Sequence, residues 1–433
     1  MPYEQSIDNC LAASIGDQGL HEAELAVALE QAELGLVQLR AWRDAGSLPL
    51  LDLPGRRDDL DALKPVIHRY QEHFADVLVL GTGGSSLGGR ALCARAAPHK
   101  GPRVHFLENV DPWRFGPVFD RIDLERTGVI AVSKSGGTSE TLMQFLACLT
   151  RFRESVGEEG IAHRFTIISE PTDNPLRRLA NDFGIHGLDH DPNIGGRFSV
   201  LSLVGLLPAA IAGVDIGAVR DGASAVLESA LAAKDPRKSA PALGAAVSIA
   251  LAREKDIAST VFLAYADALH ETALWFRQLW AESLGKQGKG TTPLNAVGTV
   301  DQHSQLQLWL DGPADKMFTV VTAPSQGQGD RTDPQMLLDI PELGWLSGRT
   351  VGDLLDAHAR GTADALAARG RPVRAMRLDA MDEGSLGALM MHFMLETIVA
   401  AHILGVDPFD QPAVEEGKVR ARRYMEETQG SAP

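Results

Sequence analysis

The stretch SKSGGTSET at positions 133–141 crowds five hydroxyl side chains and one lysine between an apolar run, TGVIAV, and an apolar helical pattern, LMQFLACLT. Ser133, Lys134, Ser135 and Thr138 therefore stand where a strand is expected to turn into a helix. A second glycine- and serine-rich turn, GTGGSSLGG, follows the apolar run DVLVL and contains Gly84 and Ser85. Glycines let the backbone approach a ligand closely, and the helix N-terminus that follows offers free N–H groups and partial positive charge. Hydroxyls and a lysine complete an anion site, for which phosphate is the natural guest. The bland alternative is that Ser and Thr only cap helices. The density of hydroxyls beside a lysine weighs against it.

Three further residues could act on a bound anion. NIGGRFS places Arg197 after two glycines and before an apolar segment. LWAESLGK places Glu282 at the end of a helical pattern with Leu269, Ala273, Phe276 and Trp280 on its apolar face. TVDQHSQLQLWLDG places His303 in the first turn of a helix that Asp301 would cap and Gly312 would close. Singly, each has an ordinary reading as an ion pair, a solvated helix end or a capping histidine. Together they suggest more. A carboxylate at a helix C-terminus feels the negative end of the helix dipole and becomes a better proton acceptor, and an imidazole at a helix N-terminus is pushed toward its neutral form. A phosphate cradle with a carboxylate, an imidazole and a guanidinium suits proton abstraction next to a carbonyl.

Other chemistries fit less well. GTGGSSLGG has Ser86 where a dinucleotide loop needs its last glycine, although Glu108 ends the next strand near the place of a ribose-binding acid. GKQGKGTT contains a GKGT tetrad without the spacing of a nucleoside-triphosphate loop. HGLDHD gathers His186, Asp189, His190 and Asp191, but a solvated loop is the better reading, and metal-spaced cysteines and HExxH are absent.

The elements that must hold these residues follow from the patterning. With 433 residues, 44% of them hydrophobic, the chain can bury a large core in more than one domain. Residues 1–70 read as a helical segment. From residue 71, short apolar runs (DVLVLG, VHFLEN, TGVIAVS, FTIISE) alternate with helical patterns, and the rhythm returns in STVFLAY, LNAVGT, KMFTVVTA and VRAMRLD. This predicts an α/β chain with two domains built on mainly parallel sheets, at 71–225 and 226–405, and a C-terminal helix within 406–433 that packs back on the body. Loops at the C-terminal ends of parallel strands bind ligands, which places both glycine-rich turns in one crevice. A net charge of −16 without a long basic run argues against nucleic acid, and three scattered cysteines fit reduced thiols in the cytoplasm. The best membrane-span candidate, LVGLLPAAIAGV, is too short and contains Pro208.

In this order the motifs resemble the glucose-6-phosphate isomerase (phosphoglucose isomerase) family. GTGGSSLGG, SKSGGTSET, GGRFS, ESLGK, GTVDQHSQ and FDQPAVEEGK follow the family's sequence of motifs from about residue 70 to about residue 425. The resemblance implies two sugar-isomerase (SIS) domains, each an α/β/α sandwich, and a sugar phosphate as substrate. It implies that Ser133, Lys134, Ser135 and Thr138 bind the phosphate, with Gly84 and Ser85 in the neighbouring loop and Gln411 on the sugar. Glu282 would move a proton between C2 and C1 through a cis-enediol, and Arg197 would stabilise the intermediate. His303 would assist ring opening, and Lys418 would help at the ring oxygen. No metal or cofactor is implied, and a homodimer is, with His303 entering the partner's site. Ala413 departs from the glycine usual in the C-terminal signature, and the chain lacks the length of the family's longer members. The rivals are another SIS-domain sugar-phosphate isomerase, which need not keep Arg197, Glu282 and His303, and a non-enzymatic sugar-phosphate-binding regulator, which should carry a basic DNA-binding region.

Overall fold

DVLVL and TGVIAV are apolar on both faces, as strands must be when helices cover both sides of a sheet. In the computed structural model, which describes residues 1–96 and 100–428, both runs are fully buried. Ten strands are found among the described residues: β1 (Tyr3–Ser6), β2 (Asp76–Leu80), β3 (Arg103–Leu107), β4 (Thr127–Val132), β5 (Phe165–Ser169), β6 (His186–Asp189), β7 (Ser259–Tyr265), β8 (Thr292–Val297), β9 (Lys316–Thr322) and β10 (Val373–Leu378). They form two five-stranded sheets, β3-β2-β4-β5-β6 and β1-β10-β9-β7-β8. Every pairing is parallel except β1 with β10. This is the mixed α/β class with mainly parallel sheets that the patterning predicts.

The first sheet sets up the crevice. From β2 the chain crosses to β3 on one side and returns to β4 on the other, so the strand order reverses between β2 and β4. Leu80 stands opposite Ala131, so the loops after β2 and β4 leave the sheet side by side. The glycine-rich and hydroxyl-rich turns are these two loops.

Helix Glu383–Leu404 is the core element of the second half. It is buried almost all round and packs against helices Ile216–Ala232, Ala240–Glu254, Glu22–Asp44 and His270–Leu284. It is also the one helix among the described residues long and apolar enough to cross a membrane, and 94% of that span lies inside the fold. Core packing accounts for its apolarity. The span LVGLLPAAIAGV is instead the short buried helix Leu203–Ile211. Helix Ile216–Ala232 runs without interruption through positions 225 and 226.

A charged network sits inside this core. Arg374 and Glu396 are both completely buried and bond at 2.7 Å. His392 Nε2 meets the other carboxylate oxygen at 2.8 Å, and His392 Nδ1 meets Tyr3 Oη at 2.6 Å. Arg374 also donates to Thr319 Oγ1 at 2.9 Å. An unpaired charge here would be strongly unfavourable, so the members hold one another in place. The network also ties β1 to the core through Tyr3.

Three expectations need correction. Residues 1–70 are not wholly helical, because Tyr3–Ser6 forms an antiparallel edge strand on β10. Its partners are residues 375–378, far along the chain, and a strand of four residues carries no local period. HGLDHD is not a solvated loop. His186–Asp189 is the edge strand β6, and His190 is buried. The C-terminal helix, Glu415–Thr428, does not pack back on the body, since every residue from 415 to 427 is exposed. Eight of its fourteen residues are charged, which leaves it little apolar face to bury.

The network gives stability a pH dependence with a defined sign. Burial, with Arg374 adding to it, pushes His392 below its ordinary value of 6.5 despite the pull of Glu396. An unfolded chain takes up that proton as pH falls through 6.5 and the folded chain refuses it, so stability is lost on acidification. His392→Gln should show a smaller drop in urea midpoint between about pH 7.5 and about pH 5.5 than the unaltered protein. An equal drop in both would remove His392 from the effect.

Candidate active site

The loop after β2 is built for close backbone contact. Gly83 has φ +58°, and a Cβ there would lie 2.8 Å from Gln278 Nε2. A Cβ on Gly84 would fall 2.1 Å from the Gly196 carbonyl carbon and 2.6 Å from the Arg197 nitrogen. Gly84 thus presses the first loop onto the loop that carries Arg197, while Gly83 faces Gln278, and Ser199 Oγ donates to Gly84 O at 3.3 Å. Ser86 Oγ donates to Glu108 Oε1 at 2.8 Å, and Arg90 pairs with the same carboxylate and with Glu271 at 2.6 Å. Glu108 is therefore committed to the loop, which removes the acid that a dinucleotide ribose would need.

The loop after β4 is a second turn at the same end of the sheet. Ser133 Oγ donates to Thr138 Oγ1 at 3.0 Å, and Gly137 N–H donates to Ser135 Oγ at 3.3 Å. Gly136 has φ +63°, and a Cβ would overlap Asn174 Oδ1 at 1.8 Å. Thr138 is the N-cap residue of helix Ser139–Val156, yet its side chain makes no capping bond. Lys134 Nζ reaches Pro192 O at 2.6 Å and stands 3.7 Å from Glu170. The lysine thus bridges to the segment that leads into Arg197. Hydroxyls and a helix start meet in this loop beside Lys134 in sequence, a combination able to hold a phosphate.

Arg197 is the point where three parts of the chain meet. It is 3% exposed. Its Nε donates to Ser283 Oγ at 2.9 Å, and one Nη reaches Glu282 at 3.2 Å and Gln411 Oε1 at 2.6 Å. The other Nη donates to the carbonyls of Pro408 and, at 2.9 Å, Asp410. Burial lowers its proton affinity, and Glu282, Asp410 and Asp407 pull the other way. A guanidinium remains charged in any case. Glu282 sits in the last turn of helix His270–Leu284, held there by the buried face of Ala273, Phe276 and Trp280, with Leu269 buried just before it. Its second oxygen accepts from Gln278 Nε2 at 2.9 Å. A carboxylate held at a fixed angle beside a guanidinium and two amides can take a proton from a bound carbon acid and steady the charge that develops.

Among the sequence candidates, Gly84, Arg197, Glu282 and Gln411 are brought into direct contact or one residue from it, and Ser85 lies in the Gly84 loop. Ser133, Lys134, Ser135 and Thr138 lie on the neighbouring strand end. His303 and Lys418 are not brought in. His303 is exposed at the end of the edge strand β8. Its helix is broken at Gln305 into Val300–Ser304 and Leu306–Asp311. Thr299 occupies the N-cap, and the Asp301 carboxylate instead accepts the Val297 N–H at 2.7 Å. Lys418 is exposed and pairs with Glu415 on its own helix at 2.7 Å. Sequence reasoning missed Gln278, Ser283 and Asn174. Gln278 was within reach, because it stands four residues before Glu282 on one helix face. Among the described residues, no group of three or more His, Cys, Asp or Glu could hold a metal ion.

The phosphoglucose isomerase family model matches residues 69–314. The glucose-6-phosphate isomerase of Rubrobacter xylanophilus is 41% identical over 377 residues, 84% of this chain and 86% of that protein. A glucose-6-phosphate isomerase of Thermus thermophilus is 37% identical over 92% of this chain and 94% of its own length. Among solved structures, a hypothetical protein of Thermus thermophilus superposes with a TM-score of 0.85 at 33% identity, covering 98% of this chain and 99% of that one. A glucose-6-phosphate isomerase of Chlamydia trachomatis shares the fold, with a TM-score of 0.74 at 22% identity over 87% of this chain and 74% of its own.

The fit of the first loop against Arg197 can be tested directly. Gly84→Ala would drive a methyl into backbone, which cannot rotate away as a side chain could. Overpacking of this kind destabilises by about 1–3 kcal/mol. A urea midpoint unchanged from the unaltered protein would mean that the two loops do not pack as described.

Proposed function

The chain belongs to the phosphoglucose isomerase family, and we infer that it interconverts glucose 6-phosphate and fructose 6-phosphate. The observation that carries this reading to individual residues is the convergence of Arg197, Glu282 and Gln411 beside the two glycine-rich loops. In the proposed reaction the sugar phosphate is anchored by Ser133, Lys134, Ser135 and Thr138, with Gly84 and Ser85 lining the adjacent loop. Once the ring is open, Glu282 removes the proton from C2 as the electrons of that C–H bond move toward the C1 carbonyl oxygen. The resulting cis-enediolate carries its negative charge near the Arg197 guanidinium, whose fixed positive charge stabilises it. A proton passes from the O2 hydroxyl to O1, Glu282 returns its proton to C1, and the electrons left on O2 form the C2 carbonyl of the ketose. Gln411 orients the sugar hydroxyls. His303 and Lys418 are assigned to ring opening. No cofactor enters these steps.

His303 is proposed to act in the partner's site of a homodimer, in keeping with its exposure at the edge of the second sheet. Lys418 would act from the exposed C-terminal helix. A cytoplasmic setting is proposed as well, consistent with Cys10, Cys93 and Cys148 being free thiols.

Glu282→Gln is nearly isosteric and removes the proton acceptor along with the negative charge that faces Arg197. Turnover should fall by about 10²–10⁴, the usual span for loss of a general base. In heavy water the unaltered enzyme should place deuterium at C2 of glucose 6-phosphate, and the variant should do so at a correspondingly reduced rate. Full turnover in the variant would take Glu282 out of the mechanism.

Shared sites predict complementation. Glu282→Gln and His303→Ala should each be nearly inactive alone. Random pairing of equal amounts gives about half heterodimers, each with one intact and one doubly damaged site, so activity should return to roughly a quarter of the unaltered level. If verified subunit exchange restores nothing, the two residues do not act across an interface.

A further inference from the structure

GKQGKGTT, which fits no nucleotide loop, has a different use in the fold. After helix His270–Leu284 the chain turns through three residues in the left-handed region, Gln287 (φ 54°), Gly288 (φ 72°) and Gly290 (φ 97°). A Cβ on Gly290 would lie 2.8 Å from Leu284 O, so the turn closes tightly on the helix end. Both lysines of the turn point at the C-terminal tail. Lys289 Nζ donates to Leu404 O at 2.8 Å, at the end of the core helix. Lys286 is buried further, with a side chain only 11% exposed. Its Nζ donates to Asp407 O, to Ser283 O at 3.1 Å and to Asp410 Oδ1 at 2.9 Å.

The tail held this way, residues 405–411, is the segment that supplies Arg197 with the carbonyls of Pro408 and Asp410 and with the Gln411 side chain. Phe409 fixes its middle by packing against Phe198 and Trp42, with ring centroids 5.3 and 6.0 Å away. Lys286 therefore grips both sides of one junction: the last turn of the helix that carries Glu282, and the tail that carries Gln411. We propose that Lys286 is a positioning residue for the isomerase reaction, clamping the 405–411 tail to the Glu282 helix so that Gln411 and Arg197 are held in register with the base. Lys286 does not touch the reacting atoms and acts through Gln411. The proposal rests on the functional reading above but adds a residue and a role to it.

If Lys286 is lost, the tail loses two of its grips, and Gln411 no longer has a fixed place. Misplacement of a positioned group by an ångström can cost up to about 100-fold in rate. Lys286→Met should accordingly lower kcat by about 10–100-fold. Inhibition by inorganic phosphate should stay within about two-fold, because the β4 loop is held by other bonds. Lys286→Arg should recover part of the loss. The deciding measurement is a double-mutant cycle with Gln411→Ala. If Lys286 acts through Gln411, the double variant should be no slower than the slower single variant. Rate factors that multiply, or a Lys286→Met enzyme with unaltered kcat, would overturn the proposal. Should Lys286→Met fail to fold, Asp410→Ala removes the side-chain grip of Lys286 on the tail, and the cycle is run with it under the same criteria. Amide hydrogen exchange tests the clamp independently of activity: Lys286→Met should exchange faster across 405–411 and unchanged across 133–138. Unchanged exchange in the tail also overturns the proposal. Failure of the unaltered protein to isomerise glucose 6-phosphate would count against the functional reading and leave the exchange result to judge the clamp.

Discussion

A guanidinium removed from water must find a partner for each of its donors or forfeit the hydration it gave up. Arg197 meets this demand with groups drawn from places far from it in sequence: the end of the His270–Leu284 helix and the tail at 408–411. Much of the crevice follows from that requirement. The loop must be glycine-rich so that Gly84 can lie against it. The helix must end where Glu282 and Ser283 can reach it, and the tail must return from the far end of the core helix to deliver carbonyls. A lysine at this position could not make all of these bonds, because its ammonium has three donors where the guanidinium has five in a planar fork.

The second half of the chain is held by a similar device used for a different purpose. Arg374, Glu396, His392 and Tyr3 pair inside the core with no access to water for the first three. Removing one partner from such a group typically costs about 3–5 kcal/mol. The network thereby fixes the rotation of the Glu383–Leu404 helix, which is apolar on nearly every side and has no stripe of its own to choose a face. Correct rotation of that helix sets where residue 404 ends, and so where the tail toward Arg197 begins.

What could be read from the chain alone follows the range of each signal. The strands of the parallel sheets were legible because burial on both faces leaves an unbroken apolar run between turn residues. The two glycine-rich loops were legible because φ above zero and close backbone approach demand glycine locally. Arg197, Glu282 and Gln411 were singled out by motif, and the structure brings them together. β1 and β6 were not legible: four residues show no period, and their pairing is decided by a strand elsewhere. The exposed position of the C-terminal helix, by contrast, follows from its charged composition, which was open to reading. Lys286 sat inside a motif that could be quoted but not understood, since its meaning depends on where residues 407 and 410 come to lie.

The pairing of β1 with β10 carries a consequence for the order in which the molecule can be assembled. Tyr3 is made long before Leu378, and before His392 beyond it, and must wait for both before its strand and hydroxyl have partners. The first sheet can close much earlier, because all five of its strands lie between residues 76 and 189. On a ribosome, where the N-terminal part of a chain emerges first, the anion loops would stand on a finished sheet while Tyr3–Ser6 still trails unpaired. Synthesis thus sews an early stretch of chain to a late one, and a product cut short before residue 373 would keep the first sheet but leave Tyr3–Ser6 without a strand to join.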